Sequence, residues 1–167
     1  MKIWRIFVSC NIQMNINKAH YLILIFTVSI QSSFSQNKYE ITKTDNEWRS
    51  QLSELSYLVL RKAYTERPYT GKYDDFYEKG TYHCAGCDEP LYKSDHKYNS
   101  FCGWPSFDRE INDKIEYDVD YKLGYPRTEI KCKKCGGHLG HVFNDGPKKT
   151  TGKRHCVNSV ALVFKKA

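Results

Sequence analysis

Cys84-Ala-Gly-Cys87 and Cys132-Lys-Lys-Cys135 are two Cys-x-x-Cys pairs whose inner cysteines are separated by forty-four residues. A gap of two residues lets both sulfurs of a pair turn to one side, at the separation a tetrahedral metal site needs, and Gly86 and Gly136 supply permissive backbone for such turns. Two pairs complete a four-thiolate zinc site. Because four thiolates leave no position for water or substrate, that zinc is expected to be structural.

The same four cysteines allow other interpretations. The pairs could be redox-active or could form structural disulfides, which an oxidising compartment favours. The repetition of the pair in a similar turn setting favours zinc instead. Two proteins of other classes would use these residues: a zinc-ribbon binding module without catalysis, and a general thiol–disulfide oxidoreductase in which Cys84 and Cys87 are redox-active.

The chain around the cysteine pairs is rich in glycine and turns. Short apolar runs at 115–119, 128–130 and 157–164 predict strands. Further upstream, one helix from Asp45 to about Ala63, capped by Asp45 or Asn46, is predicted. Its apolar face carries Trp48, Leu52, Leu55, Val59 and Ala63. The predicted fold is mainly β (α+β), an antiparallel β-sheet or barrel-like domain with a four-cysteine zinc site and a short helical N-terminal arm.

The N-terminal segment has the pattern of an export signal. Residues 21–30 form an uncharged, mostly apolar run that Lys18 precedes, and Ser33 and Ser35 then provide the small-x-small pattern of a cleavage site. We expect residues 1–35 to be a signal peptide, with Met14 as an alternative start. Residues 36–167 would form one domain with its core at about 45–165, and the protein would be secreted or periplasmic. A buried strand or an uncleaved anchor is the alternative for the apolar run.

The net charge of +7 does not by itself indicate a nucleic-acid partner. Lys2, Arg5 and Lys18 lie in the segment expected to be removed, and seven minus three leaves +4, spread along the chain. A hydrophobic content of 40% and an aromatic content of 14% exclude a disordered chain. We expect a monomer with no nucleic-acid partner and no stable membrane association.

Three of the seven cysteines lie outside the pairs, and one of them, Cys10, belongs to the segment expected to be removed. Cys156 lies in Arg154-His-Cys-Val-Asn158, where two preceding groups that carry positive charge would favour its thiolate, the nucleophilic form. Cys102 lies in Cys102-Gly-Trp-Pro-Ser-Phe107, a loop in which a second thiol can move. A zinc-ribbon module has no use for either thiol.

A histidine cluster directly follows the second cysteine pair. The stretch His138-Leu-Gly-His-Val-Phe143 carries two histidines, and the zinc already has four ligands. Acid–base or hydrogen-bonding work is therefore the better functional interpretation for His138 and His141, although each cluster alone is more often structural.

Together these motifs resemble the B-type methionine sulfoxide reductases. The resemblance runs from about Thr65 to Phe164, in order and nearly without gaps. It rests on 82–87, 102–107, Arg127-x-Glu-Ile-x-Cys-x-x-Cys135, 138–143 and 154–159.

The resemblance implies a mechanism. The thiolate of Cys156 attacks the sulfoxide sulfur of the R epimer while His141, helped by His138, donates a proton to the oxygen. The resulting sulfenic acid of Cys156 condenses with Cys102 to a disulfide, which a thioredoxin-like reductant reduces. No organic cofactor is needed, and oxidised proteins carrying methionine sulfoxide are the expected substrates.

Further site residues follow from the same resemblance. Arg154 and Asn158 are expected to orient the substrate and favour the thiolate. Four residues are assigned to substrate binding: Trp104, Phe143, Glu129 and Asp145. The chain departs from the family at Phe101, where glycine is usual, and a bulky residue there is expected to slow the movement of Cys102.

Overall fold

The computed structural model of the protein describes residues 38–167. The signal peptide predicted for residues 1–35, with its alternative start at Met14, lies outside these residues. None of the helices within residues 38–167 has the length and apolar character required to cross a membrane.

The predicted N-terminal helix is two helices, α1 (Asp45–Gln51) and α2 (Glu54–Lys62). The break falls at Leu52, which is extended, and at Ser53, whose hydroxyl accepts the backbone N–H of Ser56 and starts α2. The prediction of one continuous helix was wrong because Ser53 competes as an N-cap.

The N-cap of α1 and the buried face of α2 also differ from the prediction. Thr44 forms a capping box with Glu47, so neither Asp45 nor Asn46 is the N-cap. Leu55, assigned to the apolar face, is 39% exposed, whereas Tyr57 and Leu60 are buried. The break shifts the rotation of α2 relative to α1, and a different set of side chains therefore meets the core.

All strand pairs are antiparallel, as predicted. Within residues 38–167, nine strands form a three-stranded sheet in the order β2-β1-β9 and a six-stranded sheet in the order β3-β4-β8-β7-β6-β5. Their bounds are β1 Gly80–Cys84, β2 Pro90–Lys93, β3 Lys97–Tyr98, β4 Ser106–Phe107, β5 Ile115–Asp120, β6 Arg127–Cys132, β7 His138–Phe143, β8 Arg154–Val157 and β9 Leu162–Lys166.

The run from Val157 to Phe164 is not the single strand that its composition predicted. Strand β8 ends at Val157, a 3-10 turn occupies Ser159–Ala161, and β9 then joins the other sheet. The buried carboxylate of Glu66 accepts the backbone N–H groups of Ser159 and Val160. This long-range cap ends the strand and is invisible to local patterning.

Aromatic rings form the core between the two sheets. Phe107 of β4 stacks on Tyr92 of β2 with ring centroids 4.3 Å apart and meets Tyr82 of β1 edge-on at 5.1 Å. All three side chains are fully buried. Because Phe107 ends the loop that starts at Cys102, this packing fixes one end of that loop.

Candidate active site

The four cysteines of the two pairs converge at one place. Their sulfur atoms all lie within 4.8 Å of one another. The contacts run between the pairs, with Cys84 Sγ 3.8 Å from Cys135 Sγ and Cys87 Sγ 3.5 Å from Cys132 Sγ. Four sulfurs at about 2.3 Å from a tetrahedral zinc would be about 3.8 Å apart. The donor set and its spacing therefore fit a metal ion.

The two cysteine turns have the same backbone design. The N–H of Asp88 donates to the carbonyl of Cys84 at 2.9 Å, and the N–H of Gly136 donates to that of Cys132 at 2.8 Å. Both Asp88 and Gly136 have positive φ, 63° and 69°. The expectation for Gly136 is confirmed, but in the first turn Asp88 takes the left-handed position that was assigned to Gly86.

The two remaining thiols lie side by side. Cys156 is on β8, paired with Ser106 of β4 on one side and with His141 of β7 on the other. Its Sγ is 3.7 Å from Cys102 Sγ. A disulfide therefore needs only a small approach of the two sulfurs, and no large swing of the Cys102 loop is required.

The thiols of Cys102 and Cys156 hydrogen-bond to each other. The hydrogen bond from Cys156, with help from the hydroxyls of Ser100 and Ser106, lowers the pKa of Cys102 to about 4. The same hydrogen bond and burial raise the pKa of Cys156, while Arg154 acts in the opposite direction. Among these groups, the cation of Arg154 is the one that favours a thiolate on Cys156.

Phe101 lies on the surface next to Cys102, and its expected effect on the movement of Cys102 stays a prediction. Its side chain is 79% exposed, and its backbone is left-handed with φ of 56°. Glycine adopts this conformation without the steric cost of a Cβ, which explains why glycine suits the position. The structural consequence of Phe101 is backbone strain next to Cys102.

A cleft opens in front of Cys156 with about 400 Å³ of space free of protein atoms, part of it continuous with solvent. Of the predicted site residues, Cys156, His141, Asn158, Trp104 and Phe143 line it. The other lining residues are Thr65, Arg127, Gly140 and Val157.

The walls of the cleft are fixed by the backbone of Glu66. Its carbonyl accepts the indole Nε1–H of Trp104 at 3.1 Å, and its N–H donates to Asn158 Oδ1 at 2.9 Å. Asn158 also donates through Nδ2 to the carbonyl of Leu139 at 2.9 Å. The Asn158 amide thus bonds at both ends to backbone and holds the cleft together, and its predicted contact with substrate stays a prediction.

His141 is set by a carboxylate that the sequence analysis did not single out. Its Nε2 lies 2.8 Å from Asp120 Oδ2, and because a carboxylate only accepts, Nε2 carries the hydrogen. Burial lowers the pKa of His141, and the nearby cation of Arg127 lowers it further. The hydrogen bond with Asp120 raises it. The pKa of Asp120 is itself lowered to about 2, first by a bond from the N–H of Lys122. The Nδ1 atom is therefore the nitrogen of His141 that exchanges a proton.

Glu129, His138 and Asp145 lie outside the lining of the cleft. His138 donates through Nδ1 to Glu129 at 2.5 Å and meets the ring of His141 edge-on at 5.5 Å between centroids. Asp145 accepts two bonds from Arg154, at 2.9 and 2.8 Å. The roles assigned to these three residues in substrate binding and catalysis stay predictions.

Arg154 links Cys156 to the aromatic wall of the cleft. Its guanidinium lies 4.5 Å from the centre of the Phe143 ring, and the pair with Asp145 raises its pKa. The cation is therefore permanent and fixed in place. Sequence reasoning found Arg154 from its position two residues before Cys156, but missed Asp120, Glu66 and Thr65, which come from other elements.

The comparisons with known proteins agree with this geometry. Residues 52–166 match the model of the SelR domain. The chain is 48% identical over 126 residues to a protein of Chromohalobacter salexigens named peptide methionine sulfoxide reductase MsrB, covering 75% of this chain and 95% of the relative. Proteins of the same name from Hahella chejuensis and Methylibium petroleiphilum are 50% and 45% identical, over 77% and 80% of this chain and 92% and 96% of their own lengths. The chain therefore belongs to the SelR-domain family, the B-type methionine sulfoxide reductases.

Proposed function

We propose that this protein is an enzyme that reduces the R epimer of methionine sulfoxide to methionine, with Cys156 as the nucleophile and Cys102 as the resolving thiol. The observation that carries the proposal is the position of Cys156. It lies in the cleft, directly across from His141 and 3.7 Å from a second thiol. Neither a zinc-ribbon module nor an oxidoreductase that relies on Cys84 and Cys87 needs this arrangement.

In the first step, the thiolate of Cys156 attacks the sulfur of the sulfoxide. In the reactive form Cys156 is the thiolate and Cys102 keeps its proton, and the cation of Arg154 favours this form by opposing the rise in the pKa of Cys156. Protonated His141 donates its Nδ1 proton to the sulfoxide oxygen, which is a poor leaving group without it. The attack joins Cys156 Sγ to the substrate sulfur. The oxygen then passes to Cys156 Sγ as the sulfur–oxygen bond of the substrate and the new S–S bond both break, so that methionine leaves and Cys156 becomes a sulfenic acid.

In the second step, Cys102 resolves the sulfenic acid. Its sulfur attacks Cys156 Sγ, the new S–S bond forms as the S–O bond breaks, and the oxygen leaves as water after taking a proton. An external dithiol of the thioredoxin type returns both thiols to the reduced state. Two electrons thus pass from that dithiol to the substrate in each cycle.

The aromatic walls give the site its selectivity. The indole of Trp104 is fixed by its bond to the Glu66 carbonyl, and Phe143 is fixed beneath Arg154. They offer a small apolar surface for the S-methyl group. Because the methyl group, the oxygen and the attacked face are each held by a different part of the cleft, one configuration at sulfur is preferred. A surface cleft also suits methionine sulfoxide within proteins.

Zinc is the metal that four cysteine thiolates suit best. It would be held by Cys84, Cys87, Cys132 and Cys135 and would supply a structural link, with no coordination position left for the reaction. We further propose that residues 1–35 direct export to a secreted or periplasmic location. The N-terminal sequence of the protein recovered from its native compartment tests that point, and a start other than Gln36 would contradict it.

Separated epimers of a blocked methionine sulfoxide, with dithiothreitol as reductant, test the function. We expect turnover of the R epimer alone. The Cys102→Ser variant should release one methionine per chain and then stall with a thioredoxin-like donor. Equal turnover of both epimers, or normal recycling of Cys102→Ser with that donor, would contradict the respective parts of the proposal.

A further inference from the structure

The backbone is left-handed on both sides of Cys102. Phe101 has φ of 56° and Gly103 has φ of 87°, so the two residues that flank Cys102 both adopt left-handed conformations. For Phe101 this conformation carries a steric cost. Contacts from outside the loop must therefore hold it.

A single residue supplies hydrogen bonds on both sides of Cys102. The backbone N–H of Tyr69 donates to the carbonyl of Gly103 at 2.7 Å. The phenol hydroxyl of the same residue donates to the carbonyl of Phe101 at 2.9 Å. Tyr69 is itself left-handed, with φ of 61°. Tyr69 therefore holds the carbonyls of both residues that flank Cys102.

The segment that contains Pro68 and Tyr69 packs tightly against Gly103. A Cβ added to Gly103 would lie 2.7 Å from Pro68 Cβ and 2.9 Å from the backbone nitrogen of Tyr69. Both distances are too short for the backbone to accept a side chain. The Cys102 loop thus packs directly against the backbone of Pro68 and Tyr69. Tyr69 itself is 70% exposed.

We propose that Tyr69 is a positioning residue for disulfide formation, holding the Cys102 loop so that Cys102 Sγ stays within reach of Cys156 Sγ. The role rests on the proposed function. Tyr69 is not among the residues that line the cleft, so it acts through Cys102. Without the phenol bond, the strained loop relaxes into conformations in which the two sulfurs are further apart, and the sulfenic acid of Cys156 lives longer.

Tyr69→Phe tests the proposal because it keeps the ring and the backbone bond and removes only the hydroxyl. We expect the first methionine to be released at the rate of the unchanged protein. Formation of the Cys102–Cys156 disulfide should slow about five-fold, which is the size of one net hydrogen bond. Trapping with dimedone should capture correspondingly more sulfenic acid. Tyr125→Phe, at a tyrosine that is 55% exposed on the loop after β5, is the matched control and should change neither step.

A second oxidant separates this proposal from the proposed function. Hydrogen peroxide converts the Cys156 thiolate to the same sulfenic acid, with water as the other product, so the disulfide step can be timed without any sulfoxide. The same slowing in Tyr69→Phe is expected there. Wild-type rates of disulfide formation in that variant, with either oxidant, would overturn the role of Tyr69. Equal slowing of methionine release and disulfide formation would show a general structural defect and overturn it as well.

Discussion

His141 gains its proton affinity from a residue on another strand. Burial and Arg127 lower its pKa, and the carboxylate of Asp120 is the group that raises it. In the proposed reaction, the supply of a proton to the sulfoxide oxygen therefore depends on Asp120, which is not among the residues that line the cleft.

Asp120→Asn should lower the pKa of His141 further, because a negative charge 2.8 Å from its ring is lost. As the pH rises, His141 in this variant then loses its proton at a lower pH than in the unchanged protein. We expect the descending limb of the pH profile of kcat/KM to move down by about one pH unit. Asp118→Asn, on the same strand but bonded to Lys131, is the control with an unchanged profile. A limb that stays in place or moves to higher pH would rule out this role.

The sequence predicted the functional residues whose neighbours in the chain form a recognisable motif. Cys156, Cys102 and the four paired cysteines are chemically distinctive and come with characteristic neighbours. Asp120 and Glu66 act through register and long-range bonds, so nothing next to them in sequence marks them. The left-handed Asp88 was missed for a related reason: a nearby glycine was the more obvious candidate.

At the scale of elements, the approach of β7 to β8 sets the position of the Cys156 thiol. Gly140 lies opposite Val157, and a Cβ added there would lie 2.0 Å from the carbonyl oxygen of Cys156. The two strands can pair at the cleft only because that position lacks a side chain. Cys156 and His141 thereby come face to face.

Gly140→Ala should push β8 away from β7 and destabilise the protein by about 3 kcal/mol, the upper range for overpacking. Urea unfolding measures this loss, and activity should fall with it. Gly124→Ala is the control, since its Cβ would meet nothing within 4 Å although φ is 81°. That variant should cost only about 1 kcal/mol for the left-handed backbone. Equal losses in the two variants would show that close approach at Gly140 is unimportant.

Element type was predictable, but element boundaries were not. Alternation and turn residues predicted the antiparallel strands at 115–119 and 128–130. The helix break at Ser53 and the strand end at Val157 depend on competing hydrogen bonds, one local and one from Glu66. The spacing of apolar residues indicates the type of element. It contains no information on hydrogen bonds that end an element early.

At the scale of the whole molecule, the cysteine site joins the two sheets. Cys84 ends β1 of one sheet, and Cys132 ends β6 of the other. Both helices lie against the site: Gln51 donates to the carbonyl of Gly86 at 2.7 Å, and Arg61 donates to that of Cys135 at 2.9 Å. A metal at this point would hold the strand that carries His141 in place relative to the rest of the domain.

Removal of zinc should therefore unfold the protein. We expect one zinc per chain, and a large fall in Tm together with loss of activity when a strong chelator removes it. Cys87→Ser should reproduce the fall. Cys102→Ser is the matched control because it removes a cysteine outside the metal site, and it should keep both zinc and Tm. A metal-free protein of unchanged Tm would exclude a structural zinc.

The central claim is that Cys156 takes the oxygen and Cys102 resolves it. Peptide mapping by mass spectrometry, after one equivalent of R methionine sulfoxide is added without reductant, tests this most directly. The account predicts one methionine per chain and a Cys102–Cys156 disulfide, with the four paired cysteines still reduced and no methionine from Cys156→Ser. A disulfide within Cys84–Cys87 or Cys132–Cys135, or methionine formed by Cys156→Ser, would contradict it.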